Sequence, residues 1–163
     1  MNYLRGTVLL MLLSLNSFAG EADGKASAES EVLQALIDYM DARNSRDFKR
    51  VIELSSKSGT LDTNSDGSFH KPLALQTMES WEKSGPAQIV YFYPEASQIS
   101  EGVVHVRFYA EGMIGGAGDA TGYRTRVTMN WVNEGGNWVI KSSHYSPARY
   151  GGVHQTQVSD FDN

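Results

Sequence analysis

Apolar residues recur with two different periods along this chain, and the change of period divides it into a helical first part and a β-rich second part. From Glu29 onward, apolar side chains return every three to four positions, the spacing of a helix with one buried face. These side chains are Val32, Leu33, Leu36, Ile37 and Met40. Glu29 and Glu31 lie in the first turn, where negative charge suits the helix dipole. The pattern predicts an amphipathic helix that packs on a core.

Two shorter helices and a small hairpin are predicted next. After an interruption at residues 44–45, a second helix carries its apolar residues on one side, namely Phe48, Val51, Ile52 and Leu54. Residues 59–69 form the predicted hairpin, with its turn at residues 63–66. A third helix is predicted over residues 71–83, because a Ser-Gly-Pro sequence directly after it would end a helix.

The remainder of the folded region alternates apolar and polar residues with the period of two that is typical of β-strands. Four strands are predicted, at residues 87–97, 103–112, 123–134 and 137–146, separated by glycine-rich turns. Helices followed by consecutive antiparallel strands indicate an α+β domain, which we place at residues 29–147. We expect a strongly curved antiparallel sheet wrapped around the first helix, with a cavity at the open end.

Strand alternation also predicts which side chains face that cavity. Between residues 103 and 111 one face is apolar, and it consists of Val104, Val106, Phe108 and Ala110. Arg107 and Tyr109 lie on the opposite face, toward solvent or a partner's sheet. In the last strand His144 shares its parity with Trp138 and Ile140, which predicts that its imidazole points inward. Trp81 and Tyr91 belong to an aromatic cluster suited either to the core or to a cavity wall.

The N-terminus resembles a secretory signal peptide. Arg5 precedes a short apolar run at residues 7–15, and small residues at positions 17 and 19 suit a signal peptidase. We therefore predict a signal peptide at residues 1–19, a flexible leader at 20–28 and a tail at 148–163. The expected location is outside the cytoplasm, in a bacterial periplasm or secreted.

Composition narrows the classes of partner and cofactor. The net charge of −5 disfavours nucleic acid, which selects basic surfaces, and disfavours anionic membranes after signal cleavage. The chain has no cysteine, so disulfides, thiolate chemistry and cysteine-bound metals are excluded. The four histidines have no short ligand spacing. We predict neither a metal nor a cofactor.

Residues 123–146, with two alternating runs, a Gly-Gly turn and a His-Tyr-Ser end, resemble the C-terminal hairpin of the NTF2-like (SnoaL-like) superfamily. Residues 38–62 resemble the helix pair and first strand of the same superfamily. Within it, residues 93–147 are most similar to the association (hub) domain of calcium/calmodulin-dependent protein kinase II and its bacterial stand-alone relatives. The resemblance implies an NTF2-like cone, self-association through the sheet, and a pocket whose arginines bind small carboxylates.

The hub resemblance implies specific pocket residues. Arg107 falls on one of the arginine positions, while Met129 and Tyr145 occupy two others and lack the charge. Arg126 is a candidate substitute, with Tyr109 as a hydrogen-bonding partner for a ligand. His144 completes the predicted set at the pocket floor, and Trp81 and Tyr91 supply an apolar wall.

Three functions remain open from the sequence. The first is an exported, non-catalytic binder of a small and anionic molecule that forms a homo-oligomer through its sheet. The second is an enzyme of the ketosteroid isomerase or polyketide cyclase type, with His144 or, more weakly, Asp38 as general base. The third is an oligomerisation module without a ligand. Because no nucleophile or cofactor motif is present, the binder is preferred and no catalytic residue is assigned.

Overall fold

The computed structural model of the chain describes residues 26–63, 72–116 and 118–148. The predicted signal peptide, residues 20–25 of the predicted leader, the tail beyond residue 148 and the second arm of the predicted hairpin lie outside the described residues. In the described part, no helix is long and apolar enough to cross a membrane.

The first two helices form where the apolar spacing predicts them. Helix α1 spans Ala28–Ser45, and its N-terminus is capped by Ser27, whose hydroxyl accepts the backbone N–H of Ser30 at 3.2 Å. It ends where Arg46 adopts a left-handed conformation with φ of 61°. Helix α2, Phe48–Glu53, follows at once and is capped by Asp47. This tight junction leaves two helices at a corner.

Five strands form one sheet: β1 (Leu61–Thr63), β2 (Ala87–Ser100), β3 (Val103–Ile114), β4 (Thr121–Glu134) and β5 (Asn137–Pro147). Their spatial order is β1-β5-β4-β3-β2. Strands β2 to β5 pair antiparallel, whereas β1 pairs parallel with β5. The sheet is therefore mixed rather than wholly antiparallel, because residues 61–63 pair with the last strand.

The third helix is much shorter than predicted. Helix α3 spans only Met78–Glu82, and a capping box between Thr77 and Ser80 sets its start. Upstream, the backbone of Ala74 is paired with that of Thr60 through hydrogen bonds of 2.9 and 3.1 Å. That bridge holds the preceding residues extended, so the helix cannot begin at residue 71.

The core lies between α1 and the inner face of the sheet. Val32, Leu36 and Met40 of α1 are buried, whereas Ile37, predicted on the same stripe, is 39% exposed. The predicted apolar face of β3 is buried in full, and β4 contributes Val127, Met129 and Trp131. Residues of opposite parity in these strands form the outer face of the sheet.

A β-bulge in β5 changes which of its side chains face inward. Trp131 lies opposite Ile140, but Asn130 lies opposite Ser142, so Lys141 is an extra residue on this strand. The side chain that faces inward before the bulge is Ile140, and those that face inward after it are Ser143 and Tyr145. Ser143 lies opposite the buried Met129, and Tyr145 lies opposite the buried Val127. His144 is exposed on the outer face. The prediction that His144 points inward is wrong because strict alternation does not hold across a bulge.

The outer edge of β2 is tied to the end of α1. The Asn44 side-chain amide donates to the Ile89 carbonyl at 2.8 Å, and its carbonyl oxygen accepts the Ile89 N–H at 3.0 Å. The Asn44 side chain thus makes the same pair of hydrogen bonds to the Ile89 backbone that a neighbouring strand would make. On the other side of β2, a Cβ atom on Gly112 would lie 1.9 Å from the Gln88 carbonyl oxygen, so only glycine allows this approach of β3.

Candidate functional site

A cavity of about 480 Å³ lies at the open end of the cone, between α1, α3 and the inner face of the sheet. That volume is in the range of small-molecule sites. Its wall is formed by both polar and aromatic side chains from every part of the fold. The lining residues are Tyr39, Arg43, Ser55, Thr60, Asp62, Gln76, Ser80, Trp81, Ser84, Ile89, Ile114, Tyr123, Ile140, Ser143 and Tyr145.

Arg43 is the cation of this cavity. It lies one turn after Tyr39 on α1, and its guanidinium is 5.7 Å from the ring centroid of Tyr39 and 5.7 Å from that of Trp81. Among the described residues no carboxylate forms an ion pair with it. Burial opposes its charge, but Tyr39, Tyr145 and Tyr123 outweigh that effect and the pKa of Arg43 is raised. The group is charged at neutral pH.

Two tyrosines supply hydroxyl groups beside this cation. Burial raises the pKa of Tyr39 above its usual value and outweighs the opposing effect of Arg43. Burial likewise raises the pKa of Tyr145, with Tyr39 as the second cause. Both phenols therefore keep their protons at neutral pH, and the Tyr145 phenol lies close to the Arg43 guanidinium. This part of the wall is rich in hydrogen-bond donors.

Asp62 is the carboxylate of the cavity, and it is contributed by the short strand β1. Its Oδ1 accepts the hydroxyl of Ser143 at 2.6 Å, and its Oδ2 accepts the hydroxyl of Thr60 at 2.7 Å. The Gln76 amide donates to the same Oδ2 at 3.3 Å and to the Thr60 oxygen at 2.7 Å. Parallel pairing of β1 with β5 puts Asp62 directly beside Ser143. These contacts fix the carboxylate in one orientation.

Trp81 closes the side of the cavity below α3. Its indole is stacked on Phe48, with ring centroids 5.7 Å apart and an interplanar angle of 28°. The Arg46 guanidinium lies over the Phe48 ring, 4.7 Å from its centroid, and the Arg43 guanidinium lies over the Trp81 ring. The Trp81 Nε1 atom is buried without a hydrogen-bond partner in the described part of the chain. Of the residues predicted to bind ligand, Trp81 alone lines the cavity.

Three of the predicted ligand-binding residues lie on the outer face of the sheet instead. The Arg107 side chain is 64% exposed and forms an ion pair with Glu95 on β2. Tyr109 is half-buried beside Phe92 and donates to Glu111 at 3.2 Å. Arg126 lies directly opposite Tyr109 and is exposed. The inner face of β3 is filled by the apolar core, so these residues cannot reach the cavity.

The other predicted residues are also separate from the cavity. His144 is on the outer face beyond the bulge. Tyr91 packs in the core edge-on to Phe108, with ring centroids 6.1 Å apart. Asp38 is on the side of α1 that meets α2, where it forms an ion pair with Arg50 at 3.2 Å. The predicted residues other than Trp81 are therefore dispersed over the outer face of the sheet, the core and the side of α1 that meets α2.

The residues that the sequence reasoning missed are Tyr39, Arg43, Asp62 and Tyr145. Tyr39 and Arg43 are four positions apart, which places them on one face of a helix. Tyr39 also continues the apolar stripe of α1, so this pair could have been assigned to the cavity end. The position of Asp62 depends on the parallel pairing of β1, and that of Tyr145 depends on the bulge. Neither feature leaves a periodic trace in the sequence.

The described residues contain no group of three or more His, Cys, Asp or Glu side chains that could hold a metal ion. The described lining of the cavity offers hydrogen-bonding groups, the positive charge of Arg43, the negative charge of Asp62 and aromatic surface. Such a set can bind and orient a small polar molecule with an aromatic or planar body.

Solved structures with the same architecture were found by comparison, although no family model and no protein of curated function matches the chain. A Pseudomonas putida KT2440 protein described as NTF2-like and of unknown function is 19% identical, with a TM-score of 0.61, over 80% of this chain and 93% of that one. A ketosteroid isomerase-like protein from Erwinia carotovora atroseptica is 20% identical, with a TM-score of 0.63, over 77% and 99%.

A third structure comes from the subgroup that residues 93–147 resemble. It is a Xanthomonas campestris protein described as a putative calcium/calmodulin-dependent protein kinase II association domain. It is 16% identical, with a TM-score of 0.61, over 76% of this chain and 91% of that chain. At these identities the likeness concerns the fold and not the activity. The helices, the curved sheet and these neighbours together identify the chain as a protein with the NTF2-like fold.

Proposed function

We propose that the chain is a non-catalytic binding protein that holds a small anionic molecule in its cavity, with Arg43 as the anchor. The observation that carries the proposal is a guanidinium lining a cavity without an ion-pairing carboxylate among the described residues. A guanidinium presents a planar fork of donors that matches a carboxylate. The anchor is thus assigned to α1 rather than to Arg107 of the sheet.

The surroundings of Arg43 favour an organic carboxylate over a fully hydrated ion. Tyr39 and Trp81 contact the guanidinium on their ring faces, which leaves its edges as the polar surface for a ligand. The protonated hydroxyl of Tyr145 is beside it. A carboxylate on an aromatic or planar body would meet donors at one end and rings along its sides. Hydrogen bonds to a charged group contribute about 1.5–3 kcal/mol each.

The test is a thermal-shift and calorimetric titration of the purified chain with benzoate, inorganic phosphate and a ketosteroid. A ligand at 100 times its dissociation constant should add about 2.7 kcal/mol to the free energy of unfolding. We expect benzoate to stabilise the wild type and Arg107→Met equally, and to stabilise Arg43→Met at least tenfold less well. Arg43→Met keeps an unbranched side chain, and its near-ultraviolet circular dichroism checks the fold.

The outcome that contradicts this proposal is equally specific. Benzoate binding that is lost in Arg107→Met and kept in Arg43→Met would assign the site to the outer face. Binding of phosphate alone would keep the anchor but exclude an organic ligand. An absence of binding by all three compounds would favour the ligand-free oligomerisation module.

A second candidate function is an enzyme that moves a proton next to a carbonyl group. The observation in its favour is that Asp62, a carboxylate, lines the same cavity as the protonated phenols of Tyr39 and Tyr145. In such an enzyme the carboxylate removes the proton and the phenols stabilise the enolate oxygen. The Erwinia neighbour is described as ketosteroid isomerase-like. Asp62 replaces His144 and Asp38 as the candidate base, because only Asp62 lines the cavity.

An isomerisation assay separates this enzyme from a binder. A β,γ-unsaturated ketosteroid would be incubated with the wild type, Asp62→Asn and Asp38→Asn, and conjugation followed by ultraviolet absorbance. Turnover by the wild type and Asp38→Asn, lost in Asp62→Asn, would support the enzyme. Because three donors already occupy the Asp62 oxygens, we expect no turnover above the rate in buffer.

Self-association through the outer face of the sheet belongs to the proposal as well. The support is the association-domain description of a structural neighbour, together with a face that carries Arg107, Arg126 and Glu95. Light scattering of the wild type and of Arg107→Glu would test it. A homo-oligomer that dissociates on charge reversal is expected, and an oligomer unaffected by the change would move the interface elsewhere.

Export is proposed from the sequence of residues 1–19 alone. Expression of the full chain in a bacterium, followed by fractionation and mass spectrometry of the N-terminus, tests it. Mature protein beginning near residue 20 in the periplasmic or medium fraction is expected. Full-length chain in the cytoplasmic fraction would contradict it.

A further inference from the structure

The cavity is lined by groups of opposite polarity. Arg43 and the hydroxyl groups of Tyr39 and Tyr145 are hydrogen-bond donors. Asp62 is a carboxylate, and the Gln76 amide nitrogen donates to it and to Thr60. A ligand in the cavity would therefore meet both donors and a charged acceptor.

The Asp62 carboxylate retains capacity for a ligand. An ionised carboxylate accepts about four hydrogen bonds in all. From the described residues Asp62 accepts three, donated by Ser143, Thr60 and Gln76. These three groups hold the carboxylate at the cavity wall. No described donor fills the remaining lone-pair position, so a ligand group that donates can use it together with the negative charge.

The two charges of the cavity do not neutralise each other. No ion pair among the described residues joins Arg43 to Asp62, although both line the same space. Each is held by its own neighbours, Arg43 by aromatic rings and Asp62 by hydroxyl and amide donors. Neither charge has an ion-pairing partner among the described residues, so a ligand that contacts both would gain from each.

We infer that the ligand carries two polar groups on an aromatic or planar body, a carboxylate that Arg43 binds and an ammonium or hydroxyl group that donates to Asp62. This inference rests on the proposed function, because it concerns the same cavity. It adds the second group and thereby names the class as aromatic amino acids or aromatic hydroxy acids. A simple monocarboxylate then satisfies only half of the site.

The experiment is isothermal titration of the full chain with matched aromatic compounds. Benzoate carries the anion alone and benzylamine the cation alone. The 3- and 4-(aminomethyl)benzoates carry both charges at two separations, and 4-(hydroxymethyl)benzoate replaces the ammonium with a neutral donor. We expect at least one of the compounds with two polar groups to bind tenfold or more tightly than benzoate. The ammonium and hydroxymethyl compounds together show which kind of donor the site prefers.

Asp62→Asn tests the assignment of the second contact, and Asp38→Asn is its matched control away from the cavity. Asparagine keeps the shape but removes the charge and places an N–H₂ group at one position. The advantage over benzoate, measured within each protein, should fall to less than threefold in Asp62→Asn and stay unchanged in Asp38→Asn. If Asp62→Asn does not fold, the comparison of compounds on the wild type decides alone.

The possible results separate this inference from the proposed function. Equal binding of benzoate and all compounds with two polar groups would overturn the inference and leave the anion site intact. An advantage that persists in Asp62→Asn would also overturn it, because another acceptor would then be responsible. No binding of any carboxylate would overturn both. Binding of benzylamine alone would overturn the anion site and show that Asp62 dominates.

Discussion

Replacement of Tyr145 by phenylalanine should make the protein less sensitive to alkali. The folded chain holds the pKa of Tyr145 well above its usual value, mainly through burial. In the unfolded chain the same phenol titrates near pH 10, about its ordinary value. Below that pH both states keep the proton, so the group has no effect on the pH dependence of stability. Above it only the unfolded chain releases the proton, and the free energy of unfolding falls as pH rises.

The size of the effect follows from proton linkage. One such tyrosine lowers the free energy of unfolding by about 1.4 kcal/mol between pH 8 and pH 11, and by about a further 1.4 kcal/mol per pH unit beyond that. Burial raises the pKa of Tyr39 in the same direction, so the wild type should lose more than this amount at pH 11. Tyr145→Phe should lose only the part due to Tyr39.

Urea unfolding at pH 8, 9, 10 and 11, followed by tryptophan fluorescence, measures these differences. At pH 8 the variant should stay within about 1 kcal/mol of the wild type, because the substitution removes one hydroxyl from the cavity wall and keeps the ring. At pH 11 the two should be equally stable or the order reversed. Tyr39→Phe provides a second case with the same expected flattening. If the free energy of unfolding fell by the same amount in the wild type and in Tyr145→Phe from pH 8 to pH 11, the reasoning would be refuted.

Two further predictions concern the packing of β2. Gly112→Ala should destabilise the fold by about 3 kcal/mol or more, because its new methyl group would overlap the Gln88 carbonyl. In the control Gly122→Ala the new methyl group meets nothing within 4 Å, so its free energy of unfolding should stay within about 0.5 kcal/mol of that of the wild type. Equal urea midpoints for the two variants would contradict the tight approach of β3 to β2 at Gly112. Asn44→Ala should cost about 2 kcal/mol, since two hydrogen bonds to Ile89 disappear. A loss under about 0.5 kcal/mol in the same unfolding assay would show that water replaces the amide.

Much of the fold follows from periodicity because the buried positions repeat. The spacing of Val32, Leu36 and Met40 predicts the buried face of α1, and alternation in β3 predicts its buried face, as the burial of these residues confirms. The two-residue Gly-Gly turn correctly separates β4 from β5. Periodic patterns report burial along a single element, so these features could be recognised without knowledge of the partners.

The parts that depend on contacts between distant elements could not be predicted in this way. The pairing of β1 with β5 joins residues about eighty positions apart, and three residues are too few to show a period. The early start predicted for α3 ignored the backbone bridge of Thr60 to Ala74. The polar residues of the cavity are brought together by the pairing of β1 with β5 and by the bridge between Thr60 and Ala74. The predicted α+β fold is therefore confirmed, whereas of the residues predicted to bind ligand only Trp81 lines the cavity.

The bulge at Lys141 also bears on how this cavity could change during evolution. The following segment carries a phenol and an imidazole on adjacent residues, Tyr145 and His144, and only one of them can be turned inward. Loss of one codon between Lys141 and His144, with the bulge retained, would rotate every later side chain to the opposite face. The wall would then present an imidazole without any substitution in it. A single in-frame deletion could thus exchange a neutral donor for a group that titrates near physiological pH.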